Sequence, residues 1–197
     1  MSVHNFDDSL QKELASHKVA NSFYSGDTFK AKEIVRFTDN SEEHLLLQRR
    51  DIDANIRMWN DEVWSVSEKF RDYDYNDVLL EIYSKYPDTR GWIHKSDANR
   101  LAYFFPNRMI WMDKKALCTF CLETLFPKIQ EDDINELLTR KMNSLSLTLN
   151  LNGNTYACKL TQAPNNTDGA VWNTISISVP FGILTDFNIR FQVYQLG

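Results

Sequence analysis

Two extended runs on either side of a polar turn constrain this chain most. Residues 52–58 alternate roughly between apolar and polar and include β-branched side chains, Asn60-Asp61-Glu62 reads as a turn, and Val63 to Phe70 reads as a second strand. A hairpin of this kind has fixed faces. Side chains alternate across a strand, so Ser67 and Lys69 point one way and Val66 and Glu68 the other. Charged groups stand at Asp51 and Asp53 on the first arm, and at Glu68, Lys69 and Arg71 on the second.

That set suits hydrolysis of a phosphodiester with Mg²⁺ or Mn²⁺. Carboxylates hold a hard cation through oxygen, and a lysine positions or activates the attacking water. Alternation separates Glu68 from Lys69, which leaves two arrangements. A bulge in the strand would let Glu68 and Lys69 converge. Otherwise Ser67 stands where a carboxylate is expected and an acid from elsewhere supplies the oxygen. Glu81, on a helix predicted from Asn76 to Lys85 with Val78, Leu79, Ile82 and Tyr83 on its apolar side, is the preferred donor.

The rest of the chain mixes helices and strands. A helix is predicted over residues 6–23 and ended by Ser25-Gly26-Asp27; Ile34 to Phe37 reads as a short strand, and Ser96 to Arg100 as a short helical stretch. Leu101–Phe105 and Arg108–Met112 flank Pro106-Asn107 as a hairpin, and helices are predicted over Lys114–Phe126 and Glu131–Arg140. After Met142 the charged residues are only Lys159, Asp168, Asp186 and Arg190. Asn152-Gly153 is a two-residue hairpin signal there, with further strands at 171–179 and 187–194. The expected fold class is α/β (α+β): a mixed central β-sheet flanked by helices in residues 1–141, with a β-rich extension, 142–197, packed on the core or on a partner.

The hairpin and the residues after it resemble the PD-(D/E)xK, or restriction-endonuclease-like, nuclease superfamily, and within it a set of phage and bacterial proteins. The matching motifs are Ile52-Asp53, Glu68-Lys69-Phe70-Arg71, Asp77-Val78-Leu79-Leu80-Glu81 and Gly91-Trp92-Ile93-His94-Lys95, in that order, within residues 44–126. Ser67 departs from the family pattern at the first carboxylate of D/E-x-K. Some restriction endonucleases of the superfamily share that serine and take the acid from the following helix, the place Glu81 would fill. The resemblance implies a restriction-endonuclease-like core and a Mg²⁺- (or Mn²⁺-) dependent endonuclease acting on DNA. Asp53, with Glu81 or Glu68, would hold the metal, and Lys69 would orient the water and offset charge on phosphorus. Arg71 and Lys95 would contact flanking substrate phosphates, with Asp51 assisting and Glu13 a more distant contributor. A homodimer is compatible with this reading, because cutting two strands needs two sites.

Bulk properties bound the alternatives. The chain has 197 residues, a net charge of −5 and a pI of about 5.4. A protein that grips DNA mainly through phosphates carries a basic surplus. The acidic balance and Ser67 therefore keep a second expectation open, a catalytically inactive protein that reuses the fold to bind nucleic acid or a host protein. No apolar run approaches a membrane span. The polar start argues against a secretory signal, and three cysteines without framework spacing fit a reducing cytoplasm. Cys118 and Cys121 fit one helix face as core thiols, Trp92 and Trp111 fit the core, and Lys114-Lys115 reads as a solvated helix start.

Overall fold

A computed structural model describes residues 6–39, 41–167 and 170–196 as a mixed α+β fold built on two sheets. The first sheet contains β1 (Glu33–Arg36), β2 (Ala54–Arg57), β3 (Val63–Phe70), β6 (Arg100–Phe104), β7 (Arg108–Asp113) and β11 (Phe191–Gln195), hydrogen-bonded in that order. It is mixed, because β3 and β6 run parallel while the other neighbours are antiparallel. The second sheet is antiparallel, in the order β5 (Thr89–Arg90), β4 (Asp77–Lys85), β10 (Ala170–Pro180), β9 (Asn154–Thr167) and β8 (Ser144–Leu151).

The first sheet is apolar on both faces. Helix α1 (Phe6–Ser25) covers one, where Ala20 and Tyr24 pack with Ile56, Val66, Ala102, Phe104, Met109 and Trp111. On the other, Leu101, Tyr103, Ile110 and Met112 join Val78, Leu80 and Ile82 of β4 and Leu160, Ile177 and Val179 of the second sheet. Helices α4 (Lys114–Phe120, continued by a π turn to Leu125) and α5 (Glu131–Thr139) add Leu117, Leu125, Ile134 and Leu137 to that same core. The β-rich segment therefore completes both sheets: β10 pairs with β4, and β11 pairs with β7. Its first hairpin turns at Asn152 (φ 50°) and Gly153 (φ 83°), both in the left-handed region that a two-residue turn of this kind requires.

Asp77–Lys85 is a strand, not the helix expected from Asn76 to Lys85. Val78, Leu80 and Ile82 are buried and the residues between them are less so, a period of two that the neighbouring apolar Leu79 and Tyr83 obscure in the sequence. The hydrogen-bonding edge of β10, about a hundred residues away in sequence, decides between the two periods. Two smaller corrections concern boundaries. The helical turn near residue 96 lies earlier, as α3 (Trp92–Lys95), and the final strand begins only at Phe191, after α6 (Phe181–Asp186). Helix α2 (Glu42–Arg49), capped by the Ser41 side chain, occupies a stretch for which no element was predicted. Among the described residues no helix is long and apolar enough to cross a membrane.

Candidate active site

Asp51 is placed by the way α2 ends. Its N–H donates to the Gln48 carbonyl at 2.9 Å and the Ile52 N–H to the Leu47 carbonyl at 3.0 Å, with Asp51 itself at φ 57°. This is the paired 5→2 and 6→1 closure of a helix C-terminus, and aspartate tolerates the left-handed residue it needs. The turn buries the Asp51 carboxylate against β3 and starts β2 three residues later, and Asp53 feels its charge.

Three donors converge on that carboxylate. Ser67 Oγ donates to Oδ2 at 2.8 Å, Lys69 Nζ donates to Oδ1 at 2.6 Å, and Lys114 Nζ donates to Oδ2. Lys114, the first residue of α4, is fully buried, so the solvated helix start expected at Lys114-Lys115 is corrected for Lys114. Both ammonium groups lie over the Trp92 ring, at 4.3 Å for Lys114 and 5.3 Å for Lys69, a cation–π arrangement that eases their desolvation. Burial opposes the Asp51 charge, but the two lysines outweigh it and bring its pKa down to about 2. Burial, with Lys69 nearby, lowers Lys114 to about 8 despite Asp51. Burial also disfavours charge on Lys69, yet Asp51, Asp53 and Glu81 together raise it.

The register explains Ser67. It is fully buried against a buried aspartate. A carboxylate there would set two buried negative charges side by side, whereas a hydroxyl donates a hydrogen bond. The acid at this point of the site is Asp51 itself.

Asp53 and Glu81 both feel the charge of Lys69. Asp53 Oδ2 accepts the Glu68 N–H at 2.7 Å, and Glu81 Oε1 accepts the Trp92 N–H at 3.3 Å. The second oxygen of each has no hydrogen-bond donor among the described residues. Burial, acting first, raises both pKa values. Glu81 comes from strand β4, beside a bulge where the β10 register shifts between Ile175 and Ser176, a common device for re-aiming a side chain. Gly91 lets the turn carrying Trp92 approach this strand, because a Cβ there would lie 2.1 Å from the Glu81 carbonyl oxygen.

Glu68 is not part of this cluster. Strand β3 pairs with β2 and β6 without a register shift, so no bulge brings Glu68 round to Lys69. Its buried carboxylate faces α1 and takes both Arg36 guanidinium nitrogens, at 2.8 and 3.0 Å, while Arg36 Nε donates to Asn21 Oδ1 at 2.7 Å. Arg71 continues the Lys69 face. Its guanidinium reaches the Tyr103 hydroxyl at 3.2 Å and lies 5.7 Å from the Tyr75 ring. Lys95 is exposed, with its charge felt by Glu81. The Glu13 side chain lies outside the described residues.

Among the described residues no three His, Cys, Asp or Glu side chains gather as a metal-holding group. Two carboxylates with an open oxygen each are nonetheless the donor number that Mg²⁺ uses when waters complete its shell. Cys118, Cys121 and Cys158 are free thiols, with Cys121 and Cys158 buried. Sequence reasoning missed Lys114 and underweighted Asp51. The signal for Asp51 was its place at a helix end, which required recognising α2; nothing local marks Lys114 as buried. No protein-family model, curated protein or solved structure matches the chain.

Proposed function

We propose that this protein is a metal-dependent nuclease of the PD-(D/E)xK kind, hydrolysing DNA phosphodiester bonds in the cytoplasm, in a phage or mobile-element setting. The observation that carries the reading is the position of Lys69: a partly exposed side chain on β3 whose ammonium bonds Asp51 and feels the charges of Asp53 and Glu81, each of which has one oxygen without a donor among the described residues. Asp53 and Glu81 are the residues that would hold Mg²⁺ or Mn²⁺, which supplies Lewis-acid stabilisation and a water of lowered pKa when bound. Lys69 uses one proton on Asp51 and keeps two for a phosphoryl oxygen or the attacking water. Asp51 fixes the direction of that ammonium, and Lys114 with Ser67 fixes Asp51. Arg71 and Lys95 are the cations available for flanking phosphates.

A second reading rests on a specific observation. The Asp51 carboxylate is saturated by two lysines and a serine, so part of the cluster neutralises itself and would persist in a protein that binds nucleic acid or a host protein without cutting. Incubating single-stranded, duplex and branched DNA with the protein and Mg²⁺ or Mn²⁺ separates the two. Cleavage that disappears in Asp53→Ala and Lys69→Ala supports the enzyme. Intact DNA under every condition overturns it and leaves the binding protein.

A further inference from the structure

We infer that Tyr73 and Tyr75 form a base-stacking platform that takes single-stranded DNA into the Lys69 site. This deepens the nuclease reading and rests on it for the direction of the strand, though the platform can be tested without any cleavage.

The two rings are among the most exposed large side chains of the described residues, at 67% for Tyr73 and 63% for Tyr75. They lie together, with centroids 6.1 Å apart and planes tilted by 39°. Their connector, between β3 and β4, is pinned. Arg108 Nη2 donates to Asp74 Oδ1 at 2.9 Å and to the Asn76 side chain at 3.1 Å, Asp74 accepts the Asn76 N–H at 2.9 Å, and Lys12 pairs with Asp72 at 2.8 Å. A loop held by that many polar contacts keeps its tyrosines in water although aromatic rings gain by burial, so both ring faces stay open to a flat ligand.

Contacts then run from the rings towards the strands that carry the candidate site. Tyr73 touches Tyr75, Tyr75 lies under the Arg71 guanidinium, and Arg71 bonds the Tyr103 hydroxyl. That same hydroxyl accepts the Leu79 N–H at 3.0 Å, on the strand that carries Glu81. Arg71 is two residues beyond Lys69 on one face of the chain, about 7 Å along an extended backbone. Its N–H still bonds the Phe104 carbonyl, so the β3–β6 ladder reaches it. The track from Lys69 through Arg71 to two open rings combines one cation with aromatic faces, the combination that holds unpaired bases.

The charge balance selects among nucleic acids. Net charge is −5, and the nearby acids Asp72, Asp74 and Asp77 already engage Lys12, Arg108 and Arg71. Little positive charge remains to release counterions from a duplex. Stacking does not need that surplus. It does need unpaired bases, because a duplex offers no free base faces to the rings.

The test is fluorescence anisotropy in EDTA, with a labelled mixed-sequence single strand and the duplex of the same length. Wild type is expected to bind the single strand more tightly than the duplex. Tyr73→Ala/Tyr75→Ala is expected to weaken single-strand binding at least about tenfold, while Tyr73→Phe/Tyr75→Phe retains it, since the ring and not the hydroxyl stacks. Unchanged affinity in the alanine pair, or equal affinity of wild type for duplex, overturns the platform. Binding that needs the tyrosines without any metal-dependent cleavage by wild type sinks the nuclease reading and leaves the platform standing. Cleavage without tyrosine-dependent binding does the reverse.

Discussion

The two faces of β3 bury ion pairs of opposite character. Towards α1, Glu68 meets one arginine through both oxygens, and the arginine's third nitrogen is taken by Asn21. Towards the second sheet, Asp51 is shared by two lysines, one of them partly exposed, with Asp53 and Glu81 each keeping an open oxygen nearby. The first arrangement is closed and has nothing left to offer a ligand. The second is charged, crowded and unfinished. One strand, alternating Ser67-Glu68-Lys69, thus sorts adjacent residues into a structural pair and a candidate reactive group.

Removing Glu68 tests the contrast most severely. Glu68→Ala leaves the largely buried Arg36 without its carboxylate and is expected to cost about 3 kcal/mol of stability, read as a lower midpoint in urea unfolding. A loss much smaller than this would mean that the closed face is not the structural one. Lys69→Ala should do the opposite: keep most of the stability and lower DNA cleavage by about 10²-fold, measured as initial rate on the best substrate. A cleavage rate unaffected by Lys69 but abolished by Glu68→Gln in folded protein would exchange the roles of the faces.

The sequence made this division legible because strand alternation depends only on period. Ser67, Glu68 and Lys69 lie on the faces that alternation assigns, and the hairpins at 101–112 and at Asn152-Gly153 form where local turn chemistry places them. What escaped depends on distant partners. Val78, Leu79, Ile82 and Tyr83 satisfy a helical stripe as well as a strand does, and only the edge of β10 decides. Lys114 looks like any solvated lysine at a helix start until Asp51 arrives from 63 residues earlier to face it. The closure of α2 that aims Asp51 is likewise read from backbone hydrogen bonds, not from residue types.

Asp51 gives the open face a pH signature. Its pKa falls from 3.8 to about 2 on folding, so its contribution is complete above the unfolded value and is lost as pH drops through that window. The size is on the order of 2 kcal/mol. Lys114 acts at the other end. With its folded pKa lowered to about 8, the unfolded chain binds the proton more strongly, and stability from this group rises as pH climbs from about 8 towards 10.5. Urea midpoints of wild type and Asp51→Asn across acid pH would show it: the acid loss should shrink in the variant. An identical acid limb in both would remove Asp51 from the balance.

The smallest effect discriminates best, because it asks whether the open face is unfinished for a cation. Burial raises the pKa values of Asp53 and Glu81. Their contribution to stability therefore falls as pH rises through those values, because their charged forms carry a cost of desolvation. A divalent cation binding only the folded state would offset that cost. At ten times its dissociation constant it adds about 1.4 kcal/mol, a rise of about 3–5 °C in unfolding midpoint for a chain of this size. Mg²⁺ or Mn²⁺ should produce this rise in wild type and in Lys69→Ala, where one competing positive charge is gone, and fail to produce it in Asp53→Asn/Glu81→Gln. An equal rise in that double variant would place the cation elsewhere on the molecule, and the two faces of β3 would then differ in stability alone.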